Sequence, residues 1–267
     1  MKIIDFHTHI FPEKIASRTI EKLEHSGNIK AFTNGMLNGL KESMEKAEVD
    51  ISVVLPVVTN PNHITTVNKV AYETNENWEK TGIMSFGGIH PDNENYIDEL
   101  KVISEYGLKG IKLHPDYQNV FFNDIRYKRI IYKASELGLI ISVHAGLDIG
   151  LPEPIHCTPD MAAEVIEEIK PNKLVLAHMG GMNLWDEAEK ELINKNIYLD
   201  TACCLDKMPQ EQFLRFINGF GGNRILFATD SPWAGQKEYV NIINEVIKNE
   251  DVKNQILYKN AEKLLDI

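Results

Sequence analysis

Eight short apolar runs recur along the chain, and the segments between them have helix length. The runs are Lys2–His7, Ile51–Leu55, Ile83–Ile89, Gly110–His114, Leu139–His144, Lys173–His178, Ile197–Asp200 and Ile225–Asp230. Each is too short for a buried helix and rich in β-branched residues, so each reads as a strand covered on both faces. Strand–helix alternation repeated eight times predicts parallel βαβ units. With 267 residues to spend, closure into a single (β/α)₈ barrel of α/β class is expected, one domain over 1–267. A doubly wound sheet is the alternative, but no Gly-rich dinucleotide loop follows the first run.

The intervening segments carry helical periodicity. Tyr96, Ile97, Leu100 and Ile103 share one side of Asn93–Tyr106. Met161, Val165, Ile166 and Ile169 form a second stripe, and Phe213, Phe216, Ile217 and Phe220 a third. Thr158-Pro159 and Asn123-Asp124 supply start signals. The first βα region is extended: 43 residues separate His7 from Ile51, with Asn28, Asn34, Gly35, Asn38 and Gly39 among them. It is expected to form an inserted loop or lid over the barrel mouth. One or two helices from Lys237 onward are expected to close the barrel.

Composition bears on partners. The formal charge is −11, which disfavours a nucleic-acid backbone or an anionic membrane, since both attract basic faces. No run approaches the roughly 18 apolar residues of a membrane span. Asp5, His7 and His9 stand where a signal peptide would need its apolar core. Cys157, Cys203 and Cys204 are too few for a disulfide framework. A cytoplasmic protein acting on a small molecule is expected, with no nucleic-acid or membrane partner and with homo-oligomerisation left open.

The position of the polar residues is the informative fact. His7 and His9 end the first run, Lys112 and His114 the fourth, His144 the fifth, His178 the sixth and Asp230 the eighth. Barrel active sites lie at the carboxyl ends of the strands. Strand residues two apart face the same way, so His7 with His9, and Lys112 with His114, can point inward together. Any one of these has an ordinary reading: a hydrogen-bonded scaffold histidine, a salt-bridged lysine, an aspartate capping the Ser231-Pro232 turn. Independent scaffold histidines, however, have no reason to terminate several strands of one alternating chain. Neutral imidazoles and a carboxylate make a catalytic zinc site, and the absence of cysteine from the set disfavours a closed structural one. Asp230 then suits a proton shuttle for a zinc-activated water.

These motifs together resemble the amidohydrolase superfamily, in its amidohydrolase-related group of metal-dependent barrel hydrolases and decarboxylases. The matching stretches are Asp5-Phe6-His7-Thr8-His9, Gly110-Ile111-Lys112-Leu113-His114-Pro115 and Val143-His144-Ala145-Gly146. Leu176-Ala177-His178-Met179-Gly180-Gly181, Tyr198-Leu199-Asp200-Thr201 and Phe227-Ala228-Thr229-Asp230-Ser231-Pro232-Trp233 continue the order over nearly the whole chain. The resemblance implies that His7, His9 and Asp230 hold a first metal. Lys112 resembles the strand 4 lysine of dihydroorotases. If it is carboxylated, it bridges two metals and His144 and His178 take the second. If it is not, His144 completes a one-metal site and His178 is left as an acid/base or water-holding group.

Secondary candidates surround this set. His114 and Trp233 are expected to contact substrate, and Tyr117 to line the pocket. His90-Pro91-Asp92 reads as a loop-structuring element, and Cys203-Cys204 as buried thiols rather than nucleophiles. Asp200 either faces the site or structures the turn after the seventh run. His25, His63 and His156 read as surface or packing residues.

Two functions compete. The first is zinc-dependent hydrolysis of a small polar amide, cyclic amide or lactone. The alternative is a mononuclear zinc-dependent decarboxylase of an aromatic or unsaturated acid, which wants a cation for the departing carboxylate. Only five arginines are present, mostly at helical positions. A barrel that binds metal and ligand without turnover, and a phosphodiesterase on a related barrel, are more distant readings.

Overall fold

The structure, a computed structural model, describes residues 2–151 and 153–267. Nine parallel strands are present among them: β1 Ile4–Thr8, β2 Ile51–Val54, β3 Ile83–Ser85, β4 Gly87–Gly88, β5 Gly110–Leu113, β6 Ile140–Val143, β7 Leu174–Leu176, β8 Tyr198–Asp200 and β9 Ile225–Leu226. They pair in chain order, β1-β2-β3 and β4 through β9. The third run was expected as one strand and is split at Phe86. The Phe86 amide still donates to the Val54 carbonyl at 2.9 Å, so β3 and β4 are two halves of one barrel strand. The kink has a local cause. A Cβ on Gly88 would lie 2.6 Å from Val58 Cγ2, so only glycine lets the chain pass this close to its neighbour.

The first and last runs also meet. The Phe6 amide donates to the Phe227 carbonyl at 2.9 Å, the Asp230 amide to the His7 carbonyl at 2.8 Å, and Thr8 bridges Ser231 in parallel register. The eighth run thus lies beside the first, as the (β/α)₈ fold requires.

Alternate strand residues enter two different apolar clusters. Val54, Ile111, Ile141, Val143, Leu174, Leu176 and Ile225 join Ile103, Ile130, Val165 and Phe216 of the helices. Val53, Phe86, Ile140, Val175 and Leu226 form the other cluster, largely of strand residues. The first is the strand–helix layer and the second the barrel interior, the arrangement of a parallel sheet covered on both faces. Lys112 lies between Ile111 and Leu113, so the pleat turns it inward.

The helices fall where the periodicity places them: Tyr96–Glu105, Pro159–Ile169 and Gln210–Phe220. Ile125–Glu136 begins at Asp124, whose side chain accepts the Arg126 amide at 2.8 Å. Thr158 makes no such cap, and that helix starts on Pro159 alone. The extended first region contains two helices, Glu13–Gly27 and Leu37–Ala47, rather than a bare loop. The segment between them is tied to the mouth through the Phe32 amide, which donates to the Pro232 carbonyl at 2.7 Å. After Gln236–Val246 come Glu250–Asn254, a π turn over Gln255–Lys259 and Asn260–Leu265, more pieces than the one or two helices expected. Among the described residues, no helix is long and apolar enough to cross a membrane.

Candidate metal centre at the barrel mouth

His7, at the end of β1, and His9, just past it, bring their Nε2 atoms within 3.1 Å of each other. Asp230 Oδ1 lies 3.0 Å from His9 Nε2 and 3.3 Å from His7 Nε2. The other nitrogen of each ring is committed. His7 Nδ1 donates to Asp200 Oδ2 at 2.9 Å, and His9 Nδ1 to the Leu55 carbonyl at 2.8 Å. A carbonyl can only accept, so Nδ1 of His9 carries a proton, and in the neutral ring its Nε2 presents a lone pair inward. The carboxylate fixes His7 the same way. With both rings neutral, three acceptors face one another, an arrangement suited to a cation at its centre.

The distances fit an ion. Ligand atoms about 2.1 Å from a shared metal lie about 3.0 Å apart at a right angle and about 3.4 Å apart at the tetrahedral angle. His7, His9 and Asp230 are accordingly a group able to hold a metal. Burial, then the neighbouring Lys112, keeps His7 well below the usual imidazole range, hence neutral and ready to ligate. Asp230 adopts φ 69°, a left-handed turn that directs its side chain back towards β1.

Lys112 reaches the same place. Its Nζ lies 3.1 Å from His7 Nε2, and its side chain is fully buried. Burial pushes its ammonium down to about 8, against the pull of Asp200 and Asp230. It thus addresses the lone pair that an ion would use.

His114, His144 and His178 lie alongside but are arranged differently. His178 Nδ1 donates to the Ala202 carbonyl at 2.8 Å, which leaves its Nε2 to accept from His144 Nδ1 at 2.9 Å. His144 Nε2 is then a bare acceptor, buried and without a partner, 3.9 Å from the equally unpartnered Asp116 Oδ2. His114 and His144 stack with ring centroids 4.1 Å apart and planes 9° from parallel. His114 Nε2 lies 3.3 Å from Asp148 Oδ2. His114, His144 and Asp148 are close enough together to be a second metal candidate. The stack argues against it, because lone pairs in parallel planes do not converge on one ion. Burial, then Lys112 for His114 and His114 for His144, holds both rings well below the usual range, hence neutral.

Several residues take places that the sequence left unresolved. Asp200 does both things considered for it: Oδ2 orients His7, while Oδ1 accepts the His178 and Ala202 amides at 3.0 and 3.1 Å. Trp233 is half-buried, and its amide donates to the Asp230 carbonyl at 2.8 Å. Tyr117 packs its edge against His114 at 4.5 Å. His90 accepts the Asp92 amide at 3.2 Å, a loop-structuring contact. His25 and His63 are exposed, whereas His156 is buried with its Nδ1 on Asp116 Oδ1 at 3.1 Å. All three cysteines are free and buried, and burial raises each thiol well above its ordinary range, as for inert packing thiols.

Gln118, Asp116 and Asp148 were not singled out by sequence. Gln118 donates to the Val58 and Ile89 carbonyls and accepts the Tyr127 hydroxyl at 2.7 Å and the His114 amide at 3.2 Å. Its spacing from His114, four residues within His-Pro-Asp-Tyr-Gln, was the available signal.

A parallel barrel with a histidine–aspartate centre at its strand ends defines a class, and sequence comparison supplies the family. The amidohydrolase family profile matches residues 4–267, so the chain belongs to that family. A search of curated proteins finds no match. Among solved structures, the chain is similar to an uncharacterised TIM-barrel protein from Bordetella bronchiseptica: 19% identity, TM-score 0.79, covering 100% of this chain and 99% of that one. A dihydroxybenzoic acid decarboxylase from Polaromonas sp. JS666, with bound manganese and 2-nitroresorcinol, aligns at 14% identity and TM-score 0.73, covering 99% and 97%. A probable 2-pyrone-4,6-dicarboxylic acid hydrolase from Acinetobacter baumannii aligns at 14% identity and TM-score 0.68, covering 100% of both. At these identities the likeness establishes the barrel fold.

Proposed function

We propose that the protein is a zinc-dependent hydrolase of a small polar amide, cyclic amide or lactone. The observation that carries this reading is the set of three mutually facing acceptors on His7, His9 and Asp230, 3.0–3.3 Å apart. Two imidazoles and a carboxylate are a common donor set of catalytic zinc. When bound, such an ion polarises a carbonyl and acidifies water towards neutral pH. Asp230 accepts the proton of the attacking water at its carboxylate and returns it to the leaving nitrogen or oxygen. Asp200 and the Leu55 carbonyl hold the two imidazoles in the ligating tautomer. His178 shares its Nε2 with His144, so an acid/base role for it runs through that hydrogen bond. His114 and Trp233 flank the site and are the residues assigned to the substrate.

The reading takes one ion and an unmodified Lys112. The His178–His144 hydrogen bond uses a lone pair that a second ion would need, and Lys112 turns from His7 Nε2 when the first is bound. The decarboxylase reading is favoured by the likeness to decarboxylase structures. Against it, four of the five arginines are engaged elsewhere: Arg126 with Asp124 and Asp92, Arg129 over Tyr96, Arg215 with Glu189, Arg224 with Asn196. Lys112 would be left as the buried cation for a carboxylate.

Metal analysis of the purified protein, followed by a panel of lactones, cyclic amides and aromatic acids, tests the proposal. Hydrolytic turnover at one zinc per chain supports it. CO₂ release from the acids without hydrolysis of the others replaces it with decarboxylation.

A further inference from the structure

We infer that Asp5 is a positioning residue that sets the geometry of the His7–His9–Asp230 centre. The inference rests on the metal-centre reading above. Asp5 is fully buried, and its two oxygens collect contacts from both segments that carry the ligands. Oδ1 accepts the His7 amide at 3.3 Å and the Thr229 amide at 3.0 Å. Oδ2 accepts the Thr229 hydroxyl at 2.6 Å and the Gln236 side-chain amide at 2.8 Å. The Thr229 hydroxyl in turn accepts the Ser231 amide at 3.0 Å. The amides of the residues on both sides of Asp230, Thr229 and Ser231, are therefore pinned, directly or through one hydroxyl, to a carboxylate two residues before His7.

That pinning has something to oppose. Asp230 sits at φ 69°, a left-handed conformation that carries a steric cost for a residue with a Cβ, though less for aspartate than for most. The β1–β2 register also shifts between Asp5 and Thr8, so His7 does not rest on an uninterrupted ladder. Thr229, Ser231 and Gln236 are all at most 1% exposed, so water offers these groups no substitute for Asp5. A neutral residue could fill the volume; a carboxylate is needed to accept four donors at once. Gln236 extends the latch to Ser52 on β2 through its Nε2, 3.1 Å from the Ser52 hydroxyl. Asp5 touches neither ion nor substrate, and its effect on chemistry passes through where His7 and Asp230 are held.

The test separates positioning from simple support of the fold. Zn²⁺ and Mn²⁺ dissociation constants are measured by chelator competition on purified wild type, Asp5→Asn and Asp5→Ala, beside the melting temperature of each metal-stripped protein. Ile103→Val, in the distant strand–helix layer, is the control for stability loss without change at the mouth. Outer partners of metal ligands are typically worth about 10–100-fold in metal affinity. Asp5→Ala is expected to weaken binding by that much. Asp5→Asn, which keeps one acceptor oxygen, falls between it and wild type. The Co²⁺-loaded Asn variant shows a displaced visible absorption band, while Ile103→Val lowers only the melting temperature. If Asp5→Ala fails to fold, Asp5→Asn decides alone. Wild-type affinity and an unmoved Co²⁺ spectrum in Asp5→Asn would overturn the positioning role. Failure of the wild type itself to bind divalent metal would instead remove the metal-centre reading, and this inference with it.

Discussion

Two groups of histidines share the barrel mouth and differ in what their nitrogens face. In the His7–His9–Asp230 group, each ring spends its Nδ1 proton on an outer acceptor and turns its Nε2 inward. In the His114–His144–His178 group, one ring donates to the next and two rings stack. The residue type and the location at strand ends are the same. The tautomer differs, and with it the chemistry: converging lone pairs call for a cation, whereas paired rings satisfy one another. The contrast teaches that outer partners decide a histidine's role. Asp200 and Leu55 are as much a part of the centre as the imidazoles they orient, and the Ala202 carbonyl fixes His178 in the other group in the same way.

The comparison can be broken by mutation. The largest effect is expected from Asp230→Asn, which removes the anionic member of the converging group. Steady-state turnover should fall about 10²–10⁴-fold, the range for loss of a general base, with reduced metal content in elemental analysis. Asp200→Asn removes the carboxylate that fixes His7, and metal affinity measured by chelator competition should drop about 10–100-fold. His144→Asn probes the other group. It should leave metal content at the wild-type level while turnover falls, by less than in Asp230→Asn, through loss of the His178 partner. Loss of metal as complete as in Asp230→Asn would show that the two groups serve one ion and erase the distinction. Smallest is Tyr127→Phe, which frees Gln118 Oε1 of its 2.7 Å hydroxyl donor beneath His114. Unfolding in urea should lose about 1 kcal/mol with metal affinity unchanged.

Much of this was legible before folding. The eight runs and the helices between them follow from apolar periodicity, which the solvent enforces locally. The parity of His7 with His9 and the placement of Asp230 at the last run were readable because strand ends define a barrel's mouth. The split of the third run was less legible, since it depends on Val58 and Asn68 crowding Gly88 and Gly87 from another segment. His156 carried no sign of burial, because its partner Asp116 lies 40 residues away. Asp200 could not be assigned for the same reason: its bond to His7 spans 193 residues.

The sequence by itself determined the strand–helix alternation, the residues available at the mouth and the family, since these depend on residue type and spacing along the chain. Only the tertiary structure decided which histidines converge, which pair off, and that one buried carboxylate, Asp5, holds both ends of the centre. A ring nitrogen's proton is fixed by the acceptor opposite it, and that acceptor is a backbone carbonyl or a distant side chain that barrel closure brings into place.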